Sequence, residues 1–233
     1  MKSLVLVGAA VLGCFSCGTL SFRDIDRIIQ DLPRHSSSRY VNRRSLPASW
    51  FGRAYATLDD PYVYIVLSDT GSPASKLISL FTTTVYNHVS LSFDRDLNTL
   101  VSYNGGNGVS SPGLNEERLE MLNQKPGASL AMYRLRLEPA QKRVMLARIR
   151  AINREGSSYN ITGILSKKSR LPNIMFCSQF VYSVLAEAGL AYFEKKNGEV
   201  RPGDFIRRAE GLEFVGCLVL DSPALWVTGY KGG

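Results

Sequence analysis

Residues 86–93 carry the sequence Tyr-Asn-His-Val-Ser-Leu-Ser-Phe, in which polar and apolar side chains alternate from His88 onward. A period of two is typical of a β-strand, so the apolar residues share one face and His88 lies on the other. The chain has two histidines, and the other, His35, lies in a polar stretch rich in serine and arginine. We therefore expect a strand that presents a single imidazole near its start.

A second informative stretch is 176–181, Phe-Cys-Ser-Gln-Phe-Val, which begins a helix predicted from about Cys177 to Ala188. Gly189 follows, as glycine commonly does after a helix. A thiol in the first turn of a helix meets unpaired amides and the positive end of the helix dipole, and both favour the thiolate. Cys177 and His88 are therefore candidates for a nucleophile and its general base, with the Cys177 amide as an oxyanion donor. This chemistry requires the sulfur and the ring to meet across a solvent-reachable groove.

Two structural alternatives stay open for Cys177. It could be a packed core thiol, with His88 as a hydrogen-bonded surface histidine, because one Cys and one His are a weak signal. It could also form a disulfide with Cys217 in an oxidising compartment. Cys217 lies in the apolar run 214–220, which is typical of a buried strand, where cysteine is usually inert.

The composition is that of a folded protein with a basic surface. The chain has 233 residues, of which 45% are hydrophobic and 21% charged, and its formal net charge is +8. This balance favours contact with an anionic membrane or cell-wall surface. We predict no nucleic-acid partner, because the arginines are scattered and no nucleic-acid-binding motif accompanies them. The sequence does not predict the oligomeric state.

The N-terminal region is typical of an export signal. Lys2 precedes an apolar stretch, Leu4 to Leu12, which is too short to span a bilayer. Val11-Leu12-Gly13-Cys14 resembles a bacterial lipobox, which predicts lipid anchoring through Cys14; a plain cleaved signal peptide is the alternative. We therefore expect an extracytoplasmic protein of the cell envelope, with a signal at 1–17, a polar basic lead-in at 18–60 and a folded domain at 61–233.

The folded domain is predicted to be α+β. Strands are expected at 62–67, at the His88 segment, at 99–103, at 130–137 and at 213–220. Helices are expected at 75–82, at 140–153 and from Cys177, and a short one follows Arg201. No glycine-rich phosphate loop occurs, and two isolated residues are too few for a zinc site, so we expect no cofactor and no metal.

Four short stretches together resemble a known family, the circularly permuted papain-like hydrolases. This is the YiiX-like branch of the NlpC-type cell-wall peptidase superfamily, related to lecithin–retinol acyltransferase-like proteins. The resemblance covers about residues 61–220, and its histidine-before-cysteine order is distinctive. The stretches that carry it are Val63-Tyr64-Ile65-Val66-Leu67, Tyr86-Asn87-His88-Val89-Ser90-Leu91, Phe176-Cys177-Ser178-Gln179-Phe180-Val181 and Pro202-Gly203-Asp204-Phe205.

The resemblance implies a cysteine peptidase or amidase with Cys177 as nucleophile and His88 as base, on an antiparallel sheet packed against the cysteine helix. A third polar residue that orients the histidine is expected on the next strand, where Ser102 is the nearest candidate and Tyr103 the second. A dyad with no third residue is the alternative. Gln179 stands where family members often carry a carboxylate.

Three functions follow as hypotheses. The first is an exported hydrolase that cleaves an amide bond, most simply in peptidoglycan peptides, through a thioester on Cys177. The second is an acyl thioesterase or acyltransferase that acts on lipids. The third is a non-catalytic module that binds the wall or a membrane surface.

Overall fold

A computed structural model describes residues 38–69, 86–106, 109–122, 128–160, 171–207 and 211–219. Several predictions lie outside these ranges. They are the export signal with Cys14, the histidine at position 35 and the helix at 75–82.

The centre of the molecule is a six-stranded sheet in the order β4-β3-β2-β1-β5-β8, in which every neighbouring pair is antiparallel. A separate two-stranded parallel pair joins β6 to β7. The predicted α+β class with an antiparallel sheet is confirmed. The strands are β1 (Tyr62–Asp69), β2 (His88–Ser92), β3 (Val101–Asn104), β4 (Gly113–Glu116), β5 (Ser129–Arg136), β6 (Ser158–Tyr159), β7 (Ile174–Met175) and β8 (Leu212–Val219).

Three longer helices pack on one face of this sheet and are joined to it by a large apolar cluster. The opposite face carries a smaller cluster, built on alternate residues of β1 and β5 and on leucines of the connecting segments. The α-helices are α1 (Ala48–Ala56), α2 (Leu119–Leu122), α3 (Pro139–Glu155), α4 (Cys177–Glu187) and α5 (Asp204–Arg207), and a 3-10 turn spans Asn197–Glu199. No helix in the described ranges is both long and apolar enough to cross a bilayer.

The large cluster includes residues that we assigned to the lead-in. Trp50 and Ala54 of α1 have no exposed surface, and Leu46 just before the helix is buried with them. The expectation that the folded domain begins near position 61 is therefore wrong for this segment, because α1 places an indole in the core. Its edge contact with Phe93, with ring centroids 6.1 Å apart, joins α1 directly to the end of β2.

Helix α3 is hydrogen-bonded to the chain segment that directly follows α1. The ammonium group of Lys142, which is fully buried, donates to the carbonyls of Thr57 at 2.8 Å and Asp60 at 2.7 Å. Burial lowers the pKa of Lys142, and Asp60 partly opposes that effect. Val144 of this helix is 41% exposed, because the buried face lies on Met145 and its helical neighbours.

Among the strands of the described residues, β8 lies at an edge of the sheet beside β5. The apolar run 214–220 predicted a fully buried strand, yet Phe214 is 42% exposed and Cys217 is half-buried. An edge strand has a neighbour on one side only, so part of its apolar surface stays in contact with solvent.

Candidate active site

Helix α4 begins at Cys177, as the sequence predicted. Gln179 closes the first turn, because its side-chain oxygen accepts a 3.2 Å hydrogen bond from the amide of Phe176. Ser178 donates to the carbonyl of Val200 at 2.8 Å and so binds the helix start to the loop before α5. The residues on both sides of the thiol are therefore fixed, and Cys177 lies in the first turn, where backbone amides lack intrahelical partners.

The structure brings His88 to Cys177. His88 is the first residue of β2, and its Cα is the register partner of Ser68 on β1. Helix α4 packs across β2 and β3, and Phe180, one turn into it, stacks on Tyr103 with ring centroids 5.0 Å apart. This packing brings Cys177 near His88, and the charge of Cys177 contributes to the raised pKa of His88.

The group that orients the imidazole is Glu117, which the sequence analysis did not single out. Nε2 of His88 lies 2.9 Å from Oε1 and 3.2 Å from Oε2 of this carboxylate. Ser90 donates to Oε2 at 2.6 Å and Asn104 donates to Oε1 at 2.9 Å. With Nε2 occupied by Glu117, the other ring nitrogen, Nδ1, is left for the thiol. This division of the two nitrogens is what a nucleophile, its base and an orienting group require.

Asn104 belongs to a larger polar network behind Glu117. Its side-chain oxygen accepts hydrogen bonds from the amide of Gly106 at 3.0 Å and from the side chain of Asn115 at 2.8 Å. Asn115 is itself held by the carbonyl of Ser111 at 3.0 Å. The network fixes the amide orientation of Asn104, and with it the position of the carboxylate.

The electrostatics of the pair favour an ionised site. Burial opposes protonation of His88, but the charges of Glu117 and Cys177 outweigh it and raise the pKa of His88 well above its usual range. Burial also acts against ionisation of Glu117. The positive charge of His88 and the hydrogen bonds from His88, Asn104 and Ser90 prevail, so the pKa of Glu117 is lowered. The imidazolium and the carboxylate therefore stabilise each other at neutral pH.

The prediction that Ser102 orients the imidazole needs correction. Its hydroxyl donates to the carbonyl of Val89 at 2.7 Å, while Glu117 takes the ring nitrogen. Tyr103, the second candidate, donates to the carbonyl of Asn173 at 3.3 Å. The orienting residue comes from the end of β4, two strands away from β2 in the sheet order.

Two further side chains border the thiol. Tyr159 of β6 is the register partner of Met175 on β7, two residues before Cys177. Burial raises the pKa of Tyr159 well above its usual range, and the charges of Cys177 and Glu117 act in the same direction, so its phenol stays protonated. Arg201 lies with its guanidinium carbon 5.1 Å from the ring centroid of Phe176 and brings positive charge towards the thiol.

The site is closed, contrary to the expected open groove. Cys177 has no exposed surface and 8% of His88 is exposed. The thiol and the ring are therefore both covered, and a substrate reaches the sulfur only if a covering group moves. The aromatic and aliphatic residues of the large cluster continue directly to Cys177, which explains the burial of the sulfur.

The two cysteines of the described residues, Cys177 and Cys217, are free thiols, so the disulfide alternative is excluded. No group of three or more acidic, histidine or cysteine ligands forms a candidate metal site within these ranges.

Comparisons of this chain with protein-family models, with curated proteins and with solved structures find no match.

Proposed function

We propose that the protein is a cysteine hydrolase in which Cys177 attacks a carbonyl carbon, His88 transfers the proton and Glu117 orients His88. The observation that carries this proposal is the arrangement of the imidazole. Glu117 holds Nε2 at 2.9 Å, and the thiol at the start of α4 acts on the same ring. The resemblance to permuted papain-like hydrolases agrees with this assignment of nucleophile and base.

The reaction follows from these groups. The thiolate of Cys177 adds to the carbonyl carbon of an amide, and the oxyanion that forms is stabilised by amides at the helix start. The imidazolium of His88 gives its proton to the leaving amine, which leaves a thioester on Cys177. Water then attacks the thioester, with His88 as general base, and releases the acid and the free thiol. Glu117 stays ionised and keeps the ring in position throughout.

An amide in an exported peptide substrate, such as a peptidoglycan peptide, is the substrate class that we favour. Arg201, half-buried beside Phe176, is a positive group near the nucleophile. Peptidoglycan peptides carry free carboxylates, which a guanidinium group binds well. An acyl lipid would present an apolar chain to this guanidinium group where a wall peptide presents a carboxylate. A thioesterase or acyltransferase that acts on lipids is therefore the alternative function for the same site.

One observation favours a second, non-catalytic function. The sulfur is fully buried, and a buried thiol in an apolar cluster is usually inert. In this interpretation His88 and Glu117 form a structural ion pair, and the protein is a binding module of the cell envelope.

Incubation of the full chain with purified wall peptides and, separately, with phospholipids distinguishes these functions. If the proposal is correct, wall peptides incubated with the chain gain new amine termini. These termini do not form when the chain carries Cys177→Ala. Release of fatty acid from phospholipids alone would support the lipid alternative. No turnover of either substrate class, with no acyl adduct at Cys177, would support the binding module.

A further inference from the structure

The solvent side of α3 carries a row of arginines that the proposed reaction does not use. Arg143, Arg150 and Arg154 are all exposed. They are spaced by seven and four residues, which places them on one helix face along about 16 Å. Ala147, between the first two, is exposed as well and leaves the row unobstructed.

Two arginines of the chain before α1 extend this row past the end of α3. Arg44 is exposed, and its amide donates to the carbonyl of Asn153 at 2.8 Å. Arg43 is also exposed, and its side chain packs over Gly156, just beyond the helix. We call Arg43, Arg44, Arg143, Arg150 and Arg154 the basic stripe.

The contacts of the stripe leave most of its charge uncompensated. Arg150 lies over two rings of α1, 5.0 Å from the centroid of Phe51 and 4.9 Å from that of Tyr55. Aromatic rings fix the direction of a guanidinium group without cancelling its charge. Glu155 offsets part of the charge of Arg154 from 3.9 Å, in a pair that is exposed on both sides.

A neighbouring arginine differs from the stripe because it pairs with a carboxylate on another helix. Arg148 lies on the same helix but outside the stripe, and its Nε is 3.2 Å from the carboxylate of Glu187 on α4. The helix thus carries one arginine in an ion pair between helices and a separate row that faces solvent.

We propose that the basic stripe binds the surface of an anionic phospholipid bilayer. Phosphate headgroups complement a row of guanidinium groups, and the chain has a formal net charge of +8. Val144, beside Arg143, is 41% exposed and adds an apolar group on the solvent side of the same helix. This inference rests on the surface of α3 and is independent of the proposed reaction at Cys177.

The place where the N-terminal part of the chain joins the fold favours a bilayer over another polyanion as the partner of the basic stripe. Residues 1–37 precede the described part of the chain and contain the apolar stretch Leu4 to Leu12 and the lipobox-like Cys14. The chain then joins the fold beside the C-terminal end of α3, where Val41 and Asn42 donate to the carbonyl of Ser157. A membrane-bound N-terminus would therefore hold the stripe close to the same membrane.

Vesicle sedimentation of the full chain tests the proposal. Partition is measured on phosphatidylcholine vesicles and on vesicles that also contain phosphatidylglycerol. An apolar N-terminal segment that inserted into both kinds of vesicle would create no preference between them, so the preference for anionic vesicles is the informative quantity. Removing three arginines from the stripe is expected to lower that preference by roughly 100-fold. The test variant is Arg143→Gln/Arg150→Gln/Arg154→Gln and its charge-matched control is Arg95→Gln/Arg136→Gln/Arg207→Gln, three exposed positions elsewhere on the surface.

The proposal is supported if the test variant loses the anionic preference, the control keeps most of it, and added salt weakens binding of the unchanged chain. Equal losses in both variants would show a general effect of net charge and would overturn it. No preference for anionic vesicles would also overturn it, even if the stripe bound an acidic wall polymer. Circular dichroism of both variants verifies that the comparison is between folded proteins.

Discussion

Nε2 of His88 and Oε1 of Glu117 lie 2.9 Å apart, although 29 residues separate them in the chain. Strand β3 lies between β2 and β4 in the sheet, and the carboxylate of Glu117, which directly follows β4, reaches across to the imidazole. The pair is almost completely buried, and both partners are held ionised by each other. It links the fold to the chemistry that we propose.

Neutralising Glu117 tests its role as the orienting group. The carboxylate is the largest cause that raises the pKa of His88, so Glu117→Gln is expected to lower that pKa. Turnover of wall peptides should fall by roughly 10²–10⁴-fold, because the ring loses its fixed orientation. NMR titration of the two histidines measures the pKa, and a variant at His35 assigns the signals. Ser102→Ala is the matched control. If it shifts the pKa of His88 as much as Glu117→Gln does, Ser102 is the orienting residue.

The His88–Glu117 pair is also expected to stabilise the fold. His88→Ala leaves a buried carboxylate without its counter-charge, which should cost about 3–5 kcal/mol in the free energy of unfolding. The double variant His88→Ala/Glu117→Gln removes both charges and should lose less than the sum of the two single changes. Urea unfolding of the four proteins gives the coupling energy. Strictly additive losses would contradict a direct pairwise interaction.

The pair predicts a stability maximum between two pH limits. The pKa of Glu117 is lowered, so its contribution is present above the usual value of 4.5 and is lost as the pH falls through the folded-state pKa. The pKa of His88 is raised, so its contribution is complete below the usual value of 6.5 and is lost as the pH rises through the raised pKa. Urea midpoints across pH should show both losses in the unchanged chain. The double variant should have a flatter profile, and an identical profile would contradict this origin.

Trp50 is expected to behave as a core residue of the folded domain, although it lies in the segment predicted to be a polar lead-in. The indole is fully buried between α1 and the end of β2, so Trp50→Ala should cost about 3–5 kcal/mol of stability. Ser49→Ala, at an exposed position on the same helix, should change stability by less than about 0.5 kcal/mol. Thermal unfolding compares the two variants. A small effect of Trp50→Ala would restore the view that the folded domain begins near position 61.

Local pattern was sufficient to predict the strand that begins at His88 and the helix that begins at Cys177. The alternation after His88 predicted β2, and the apolar spacing after Cys177 predicted α4, because both signals lie within a few residues of the site. The alternation also suggested that Ser90 faces away from the core. It is buried, because the second face of the sheet is covered too and the hydroxyl is bonded to Glu117.

Glu117 was missed because its role depends on tertiary structure. It follows β4 in a run of polar residues, and nothing in that run distinguishes it from its exposed neighbour Arg118. Asn104 was the nearest available signal, since a loop rich in glycine and serine, residues 104–113, begins there. Helix α1 was missed for a different reason. The arginines around Trp50 and Phe51 gave the segment the composition of a surface tether, although its aromatic residues form one buried face.

Alkylation of Cys177 and Cys217 distinguishes an activated thiol from an inert one. Iodoacetamide is added to the folded chain at neutral pH, and mass spectrometry follows the peptides of Cys177 and Cys217 separately. As the proposed nucleophile, Cys177 is expected to react faster than the half-buried Cys217, despite its burial. His88→Gln is expected to slow Cys177 at least tenfold and to leave Cys217 unchanged. A Cys177 that reacts more slowly than Cys217, at a rate that His88→Gln does not alter, would show an inert core thiol and contradict the account.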